Sequence, residues 1–197
     1  YLELIDLEED LNPDMQEYIN AIHLEVKRLH GLSLDLLDFS RQRVSINLET
    51  FKVSEMFTEI LKHAKIMTKD TEICVEIDVK KDLIMKVDRG KLFRVLFNLV
   101  SNAIDALISE GHVKLQCEAD GEYALFKVHD TGKGIPKENL AKLFQPFFTS
   151  GKAKGTGLGL AIVKMIVEAH NGTINVNSEE GLFTEFTVRI PYNYESF

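Results

Sequence analysis

A glycine-rich segment that passes directly into a helix is the feature that most constrains this chain. It reads Gly155-Thr156-Gly157-Leu158-Gly159 and continues as LAIVKMIVEAH, in which apolar residues recur with helical spacing. Alternate glycines can direct several backbone N–H groups at one anion, and the first turn of the following helix adds partial positive charge. A flexible linker is the alternative, but a linker would not run into an amphipathic helix without an intervening polar stretch. The segment therefore predicts a phosphate-binding loop.

Two familiar phosphate loops do not fit this segment. The chain contains no GxxxxGK[ST] sequence, and Leu160 stands where a dinucleotide-binding fingerprint beginning at Gly155 requires its third glycine. The loop therefore belongs to another class.

A second motif, HDTGKGIP, ends a predicted strand at Asp130. Gly132 and Gly134 allow a turn without side chains, so a flat ligand can approach the backbone. A carboxylate at Asp130 could accept a hydrogen bond from an exocyclic amine such as that of adenine. The alternative is an ordinary turn in which Asp130 is the turn-forming residue.

A third motif, LFNLVSNAIDAL, lies on a long predicted helix with one apolar and one polar face. Asn98 and Asn102 stand one turn apart on the polar face, although asparagine is unfavourable inside helices. Amide oxygens are neutral hard ligands suited to Mg²⁺; a merely solvated face is the alternative. The apolar face comprises Leu92, Leu96, Leu99, Ala103 and Leu107, and the polar face Lys91, Arg94, Asn98, Ser101, Asn102 and Asp105.

The spacing of apolar residues along the chain predicts helices up to about residue 43 and an α+β fold thereafter. The fold has a mixed, largely antiparallel sheet covered by helices on one face. Asn12 and Pro13 favour the start of a helix. The predicted elements of the second part are strands Val44–Leu48, Glu72–Val79 and Leu83–Val87, helices at Val53–Met67 and from Asp88 to about Ser109, a hairpin turning at Asp120-Gly121, a short helix behind Pro136, a helix from about Leu158 to His170, and a hairpin turning at Glu180-Gly181.

The helical part shows a spacing of three and four residues between apolar positions. That spacing is typical of a helical hairpin seam, which a dimeric four-helix bundle would complete. An intramolecular hairpin packed on the rest of the chain is the alternative. The seam positions are Ile19, Ile22, Val26, Leu29 and Leu36.

The three motifs and a fourth segment, LFQPFFTS, occur in the order Asn-bearing helix, DxGxGI, LFQPFFTS and GTGLGL. This ordered set resembles the Bergerat-fold ATPases, and within them it is similar to the sensor histidine kinases of two-component systems. EYINAIHLEVKRLHGLSLDLLDFSR resembles the second helix of their dimerisation and phosphotransfer bundle. The resemblance implies partial dimerisation helices at 1–43, an ATP-binding catalytic domain of the Bergerat type at 44–197, ATP or ADP with Mg²⁺ as cofactors, a homodimer formed through the amino-terminal helices, and a response-regulator receiver domain as partner.

The resemblance also implies residue roles. Asn102 would bind Mg²⁺, with Asn98 near the metal and phosphates, and Asp130 would recognise the adenine amino group. Phe183 stands where the family commonly has a second glycine in its last motif. The other implied nucleotide contacts are Gly132, Gly134 and Ile135 at the adenine floor, Phe144, Phe147 and Thr149 in the aromatic segment anchoring the lid, Lys152, Lys154, Gly155, Thr156, Gly157, Leu158 and Gly159 around the phosphates, and Thr184 at the pocket edge.

The residue at position 98 bears on the reaction. Hydrolysing members of the superfamily resemble one another in placing a glutamate one turn before the metal-binding asparagine, and an amide cannot act as a general base. Asn98 therefore favours phosphoryl transfer to histidine, catalysed by positioning and charge stabilisation. A hydrolase or serine-directed kinase of the same superfamily and a nucleotide-binding pseudokinase scaffold are the alternatives.

No histidine lies in a pattern like H-E-x-R-x-P, which carries the phosphoryl acceptor in the family. His23 lacks the following acid and the proline. We therefore expect a fragment cut just after its acceptor, which binds ATP but does not phosphorylate itself. His170 is expected at a helix carboxyl terminus, where positive charge is favoured. The other histidines, expected to be ordinary surface or helix-end residues, are His30, His63, His112 and His129.

Composition bears on which partners and which cellular compartment are expected for this chain. A formal net charge of −8 argues against general nucleic-acid binding, which needs a basic face. Cys74 and Cys117 show no CxxC spacing and are expected to be reduced in a cytoplasmic protein. No apolar run approaches a membrane span, so membrane attachment is expected only through parts absent from this chain.

Overall fold

The computed structural model describes residues 45–80, 82–149 and 156–192, together with Ile19, Ile22 and Val26. The chain divides into two compact units, residues 1–42 and 43–197. In the first unit the three described residues are helical; Ile19 is buried, whereas Ile22 and Val26 are 50% and 46% exposed. The other predicted seam positions and the predicted cap lie outside the described residues. No helix in the described ranges is long and apolar enough to cross a membrane.

The described part of the second unit contains a mixed sheet and a small separate ribbon. The sheet has the order β2-β4-β5-β7-β6; β2 pairs parallel with β4, and the other neighbours pair antiparallel. The ribbon pairs β1 with β3. The strands are β1 (Glu49–Lys52), β2 (Glu72–Val79), β3 (Ile84–Val87), β4 (Glu110–Asp120), β5 (Tyr123–Asp130), β6 (Thr173–Glu179) and β7 (Phe183–Pro191), and the helices are α1 (Val53–Met67), α2 (Arg89–Ala106), α3 (Lys137–Leu140) and α4 (Gly159–Ala169).

Helices α1, α2 and α4 pack on one face of the sheet and enclose the core. Alternate strand residues such as Leu115, Phe126 and Val188 point into this core, and the rings of Phe57 on α1 and Phe126 on β5 lie 6.2 Å apart. The residues between them, such as Lys127 and Arg189, carry polar groups on the open face. The predicted α+β sandwich with helices on one face is confirmed.

Helix α2 begins as predicted but ends earlier. Asp88 is its N-cap: Oδ1 accepts the Lys91 N–H (2.9 Å) and Oδ2 accepts the Asn47 N–H (2.8 Å). The predicted end near Ser109 is wrong, because Leu107 is already extended. The carbonyl of Ala106 instead accepts a hydrogen bond from the Lys133 N–H (3.3 Å).

The predicted strand at Val44–Leu48 is also wrong. Residues 45–48 are irregular, and the strand follows at Glu49–Lys52. The alternation of apolar residues is real, but this segment gives the Asn47 N–H to Asp88 rather than to a neighbouring strand. The other predicted strands, hairpins and helices of this unit are confirmed, with ends that move by a few residues.

Candidate functional site

Asp130 ends β5 and is almost fully buried. The residue is only 2% exposed, and its Oδ1 accepts a hydrogen bond from the Gly132 N–H at 2.9 Å. Burial raises the pKa of the Asp130 carboxyl to about 6, against a smaller lowering by the Gly132 hydrogen bond. A carboxylate held in this way is set to accept a further hydrogen bond from a donor that enters the site.

The turn after Asp130 is held tightly between two parts of the protein. A Cβ on Gly132 would collide with Asp130 Oδ1 and with the Ala106 carbonyl at the end of α2. Gly134 has φ +62°, and a Cβ there would overlap the Glu179 carbonyl. The two glycines therefore make room for neighbouring protein atoms; their predicted contact with a ligand stays a prediction.

Thr184 lies beside Asp130 across the β5–β7 pair. It is 3% exposed, and its Oγ1 is 3.1 Å from Ser178 Oγ on β6. Ser178 Oγ also accepts the Ile135 N–H (2.9 Å) and donates to the Phe183 carbonyl (2.7 Å). Because the single Ser178 proton goes to that carbonyl, Thr184 is the donor to Ser178.

Ser178 is a residue of this candidate site that the sequence did not single out. It joins the turn at Ile135 to strands β6 and β7 and is the register partner of Thr184, which in turn pairs with Asp130. A signal was present, since Ile174, Val176 and Ser178 share one face of β6 and a serine there continues an apolar series.

The predicted faces of α2 are confirmed. Leu92, Leu96 and Leu99 are fully buried, whereas Asn98 and Asn102 are half-buried on the other side of the helix. A Cβ built on Gly159, the first residue of α4, would lie 3.6 Å from Asn98 Oδ1. The amide of Asn98 therefore sits against the start of α4.

The described part of the glycine segment begins at Thr156, and Lys152, Lys154 and Gly155 lie outside the described residues. Gly157 has φ +69°, and its carbonyl accepts the Phe147 N–H at 2.9 Å. Leu158 is buried and precedes α4 without giving a side-chain cap to that helix. The first N–H groups of α4 are thus not capped by the side chain of their N-cap residue.

The aromatic segment that begins at Leu143 contacts α4 and the glycine segment, at one residue each. Phe144 is half-buried against the core, and Lys164 Nζ on α4 lies 6.0 Å from its ring centroid. Phe147 is bonded through its backbone to Gly157 but its residue is 63% exposed. Thr149 is exposed at the end of the described range.

Two groups of predicted residues thus lie about two turns apart along one helix, one at its carboxyl end and the other near its middle. Gly132 contacts the Ala106 carbonyl at the carboxyl end of α2, while Gly159 contacts Asn98 two turns earlier. At a helical rise of about 1.5 Å per residue, these contacts are about 12 Å apart along the axis, with Asn102 midway. An acceptor for an amine and a region suited to phosphate are therefore spaced along α2.

His170 corrects an expectation about charge. It does end α4, but it is fully buried; Nδ1 donates to the Ile166 carbonyl (2.8 Å) and Nε2 accepts the Asp88 N–H (3.2 Å). That arrangement requires a neutral imidazole, and burial lowers the pKa of His170 further. His63 and His112 are exposed and His129 is half-buried, while His23 and His30 lie outside the described residues.

Comparison with known proteins now identifies the family. A family model described as "Histidine kinase-, DNA gyrase B-, and HSP90-like ATPase" matches residues 87–194, which contain α2, both glycine motifs, α4 and the last hairpin. The chain belongs to this family.

Individual members of the ATPase family with strong similarity are sensor kinases. The circadian input-output histidine kinase CikA of Synechococcus elongatus is 35% identical over 92% of this chain, and the sensor histidine kinase RcsC of Escherichia coli is 32% identical over 96%. The chain spans only 26% and 21% of the length of these two relatives. The predicted resemblance to sensor histidine kinases is confirmed.

A solved member has the same fold. Full-length ShkA in complex with AMPPNP superposes with a TM-score of 0.80 at 26% identity, covering 95% of this chain and 41% of that one. The Bergerat-type sandwich predicted from the ordered motifs is therefore confirmed. This chain contains a histidine-kinase-like ATPase domain.

Proposed function

We propose that this chain is the ATP-binding catalytic core of a two-component sensor histidine kinase. It transfers the γ-phosphate of ATP to a histidine on a dimerisation helix, and a response-regulator receiver domain then takes the phosphoryl group onto an aspartate. The observation that carries the proposal is the spacing along α2: Asp130 and its turn lie at the carboxyl end of the helix, and Asn98 lies against Gly159 about two turns earlier. The names of CikA and RcsC support the same class of activity, and the AMPPNP bound to ShkA supports nucleotide binding.

At one end, Asp130 binds the adenine amino group. Its Oδ1 is already fixed by the Gly132 N–H, which orients the carboxylate before a nucleotide arrives. Thr184 is held beside it by Ser178, and Ile135 is held by the same serine. Gly132, Gly134, Ile135 and Thr184 form the surroundings of the base.

Farther toward the amino terminus of α2, Asn102 binds Mg²⁺ and Asn98 lies near the phosphates. The donor set fits, because two half-buried amides one turn apart offer neutral oxygen ligands, and Mg²⁺ takes its remaining ligands from water and phosphate. When bound, Mg²⁺ neutralises negative charge on the phosphate oxygens. The first turn of α4 adds backbone N–H groups for the same charge. The other phosphate and lid contacts in the proposal are Phe144, Phe147, Thr149, Lys152, Lys154, Gly155, Thr156, Gly157, Leu158 and Gly159.

Transfer to histidine is favoured over hydrolysis by the residue at position 98. An amide cannot take a proton from water, whereas the unprotonated nitrogen of an imidazole needs no base. Catalysis then consists of holding the γ-phosphate in line with the acceptor and stabilising its charge. A hydrolase or a serine kinase of the same family would need a base that this position does not supply.

The proposal extends to the rest of the chain. Residues 1–43 supply part of the dimerisation helices and residues 44–197 the catalytic domain. The seam residues Ile22 and Val26, exposed within this chain, face a second copy in a cytoplasmic homodimer.

The test is phosphoryl transfer to a separately supplied helical bundle that carries the H-E-x-R-x-P histidine. With [γ-³²P]ATP and Mg²⁺, the bundle is expected to become labelled, and the label is expected to be lost in acid because phosphohistidine is acid-labile. Asn102→Ala is expected to reduce labelling by about a hundredfold or more, since it removes the metal ligand. Asn175→Ala, an exposed amide on β6, is the matched control and should label like the unmodified chain.

Four outcomes would reject parts of the proposal. An acid-stable label would indicate a serine-directed kinase, and release of free phosphate without labelling would indicate a hydrolase. Nucleotide binding without either reaction would indicate a scaffold. Undiminished labelling by Asn102→Ala would reject the metal assignment alone.

A further inference from the structure

A cluster of three potential metal ligands lies on the open face of the sheet, where backbone hydrogen bonds join His112 to Thr131 of the turn after Asp130. Cys74 and Glu76 on β2 and His112 on β4 are all exposed, and one ligand atom from each lies within 4.8 Å of the other two. The Cys74 Sγ and Glu76 Oε1 atoms are 3.9 Å apart. We propose that these residues bind a zinc-class divalent cation.

The backbone places the three side chains together. Cys74 and His112 are register partners in the parallel β2–β4 pair, and Glu76 is two residues beyond Cys74 on the same face. The backbone of His112 is held from the β5 side, since its main-chain N–H donates to Thr131 Oγ1 (3.0 Å) and its carbonyl accepts the Thr131 N–H (3.1 Å). The cluster therefore stands on paired strands rather than on a loop, which holds its ligands in place.

The separations suit a tetrahedral ion after small side-chain movements. With zinc–ligand bonds of about 2.0 to 2.3 Å, ligand atoms in a tetrahedral site are about 3.5 Å apart. The Cys74 Sγ and Glu76 Oε1 atoms are 3.9 Å apart and no pair exceeds 4.8 Å, so rotation of these exposed side chains can bring the three atoms to that spacing. A water molecule would take the fourth position.

The ligand types select the cation. A thiolate, an imidazole and a carboxylate together favour zinc and related transition metals, whereas Mg²⁺ and Ca²⁺ prefer oxygen ligands alone. The cluster and the proposed amide site for Mg²⁺ on α2 are therefore expected to bind different cations. Binding also converts the Cys74 thiol to a thiolate, which releases one proton to solvent.

Neighbouring charges favour a cation as well. Glu72 and Glu110 pair at the register position two residues before Cys74 and His112, so two further carboxylates lie on that side. On the other side, Lys114 Nζ is held 3.2 Å from Asp78, which partly neutralises the positive charge nearest Glu76. A bound ion would link the edge strand β2 to β4 and stabilise that edge.

The experiment uses the full chain without nucleotide, in a reducing agent that does not chelate metals. Cobalt(II) is titrated as the probe, and the near-ultraviolet thiolate-to-cobalt charge-transfer band is followed. One equivalent is expected to produce the band, zinc should displace cobalt, and a large excess of Mg²⁺ should not. Zinc is also expected to raise the melting temperature.

The variants assign the ligands. Cys74→Ser should abolish the band, because Cys117 is buried in the core and cannot replace it. His112→Ala and Glu76→Gln should each weaken cobalt binding by about tenfold or more. His63→Ala, an exposed histidine on α1, is the matched control and should bind like the unmodified chain. All four positions are exposed, and thermal unfolding without metal verifies that each variant is folded.

The proposal is overturned if no band appears at stoichiometric cobalt or if the band survives in Cys74→Ser. It is also overturned if His112→Ala and Glu76→Gln both leave the affinity unchanged, since the thiol would then act without the other two ligands. None of these results bears on the nucleotide site, which is tested separately with Mg²⁺ and ATP.

Discussion

At the scale of single residues, the protonation behaviour of Asp130 depends on contacts that its local sequence does not reveal. The DTGKG pattern was sufficient to predict a carboxylate at the end of a strand. Its pKa of about 6 was not predictable, because it follows from burial between strands that are distant in sequence. His170 illustrates the same limit: its position at a helix end was predicted, but its burial and neutral form were not.

The raised pKa gives a prediction for pH. If the ionised carboxylate accepts the adenine amine, nucleotide affinity should fall as the pH decreases through about 6, by about tenfold between pH 8 and pH 5. Isothermal titration calorimetry with ADP and Mg²⁺ measures this. Asp130→Asn should bind much more weakly at pH 8 and should lack the same pH dependence, which separates Asp130 from titration of the phosphates. Equal affinities of the two proteins would refute the adenine role.

The stability of Asp130→Asn provides the control for misfolding. The folded state holds a proton on Asp130 more tightly than the unfolded state does, so this residue lowers the free energy of unfolding as pH rises from about 4 through 6. The amide carries no such charge and can still accept the Gly132 N–H. At pH 8 the free energy of unfolding of the variant should therefore exceed that of the unmodified chain, by an amount on the order of 1–3 kcal/mol.

At the scale of elements, periodicity identified helices and strands better than it identified their ends. Helix α1 was predicted with its observed bounds, since its buried residues follow helical spacing. The wrong first strand and the shortened α2 share a cause. In both cases a backbone group is taken by a distant partner, the Asn47 N–H by Asp88 and the Ala106 carbonyl by Lys133. Such long-range hydrogen bonds leave no local pattern.

Ser178 gives the prediction at this scale, because it connects the turn after β5 to the β6–β7 hairpin. Ser178→Ala would leave the Ile135 N–H and the Phe183 carbonyl without the partner they share. The free energy of unfolding should fall by about 1–3 kcal/mol, and nucleotide affinity should also fall because Thr184 loses its support. Asn177→Ala, the exposed neighbour on β6, should change stability by only about 0.5 kcal/mol. Chemical denaturation and calorimetry measure both, and equal behaviour of the two variants would contradict the role of Ser178.

At the scale of the whole molecule, the sequence indicated the layers but not the order of the strands. The parallel pairing of β2 with β4 and the insertion of β7 between β5 and β6 join residues far apart in the chain. Both pairings assemble the proposed sites, since the first brings Cys74 to His112 and the second sets Thr184 beside Asp130. Only the ordered motifs, through their resemblance to a known family, carried that long-range information.

The division into two units gives the last prediction. The described core cluster extends from Phe51 to Ile190, and all of its residues belong to the unit of residues 43–197. A fragment of residues 43–197 should therefore unfold cooperatively and bind ADP with an affinity within about threefold of the full chain. If residues 1–42 form the dimer, sedimentation should find the full chain dimeric and the fragment monomeric. An unfolded fragment would show that the core depends on the amino-terminal helices, and a dimeric fragment would move the interface to the catalytic domain.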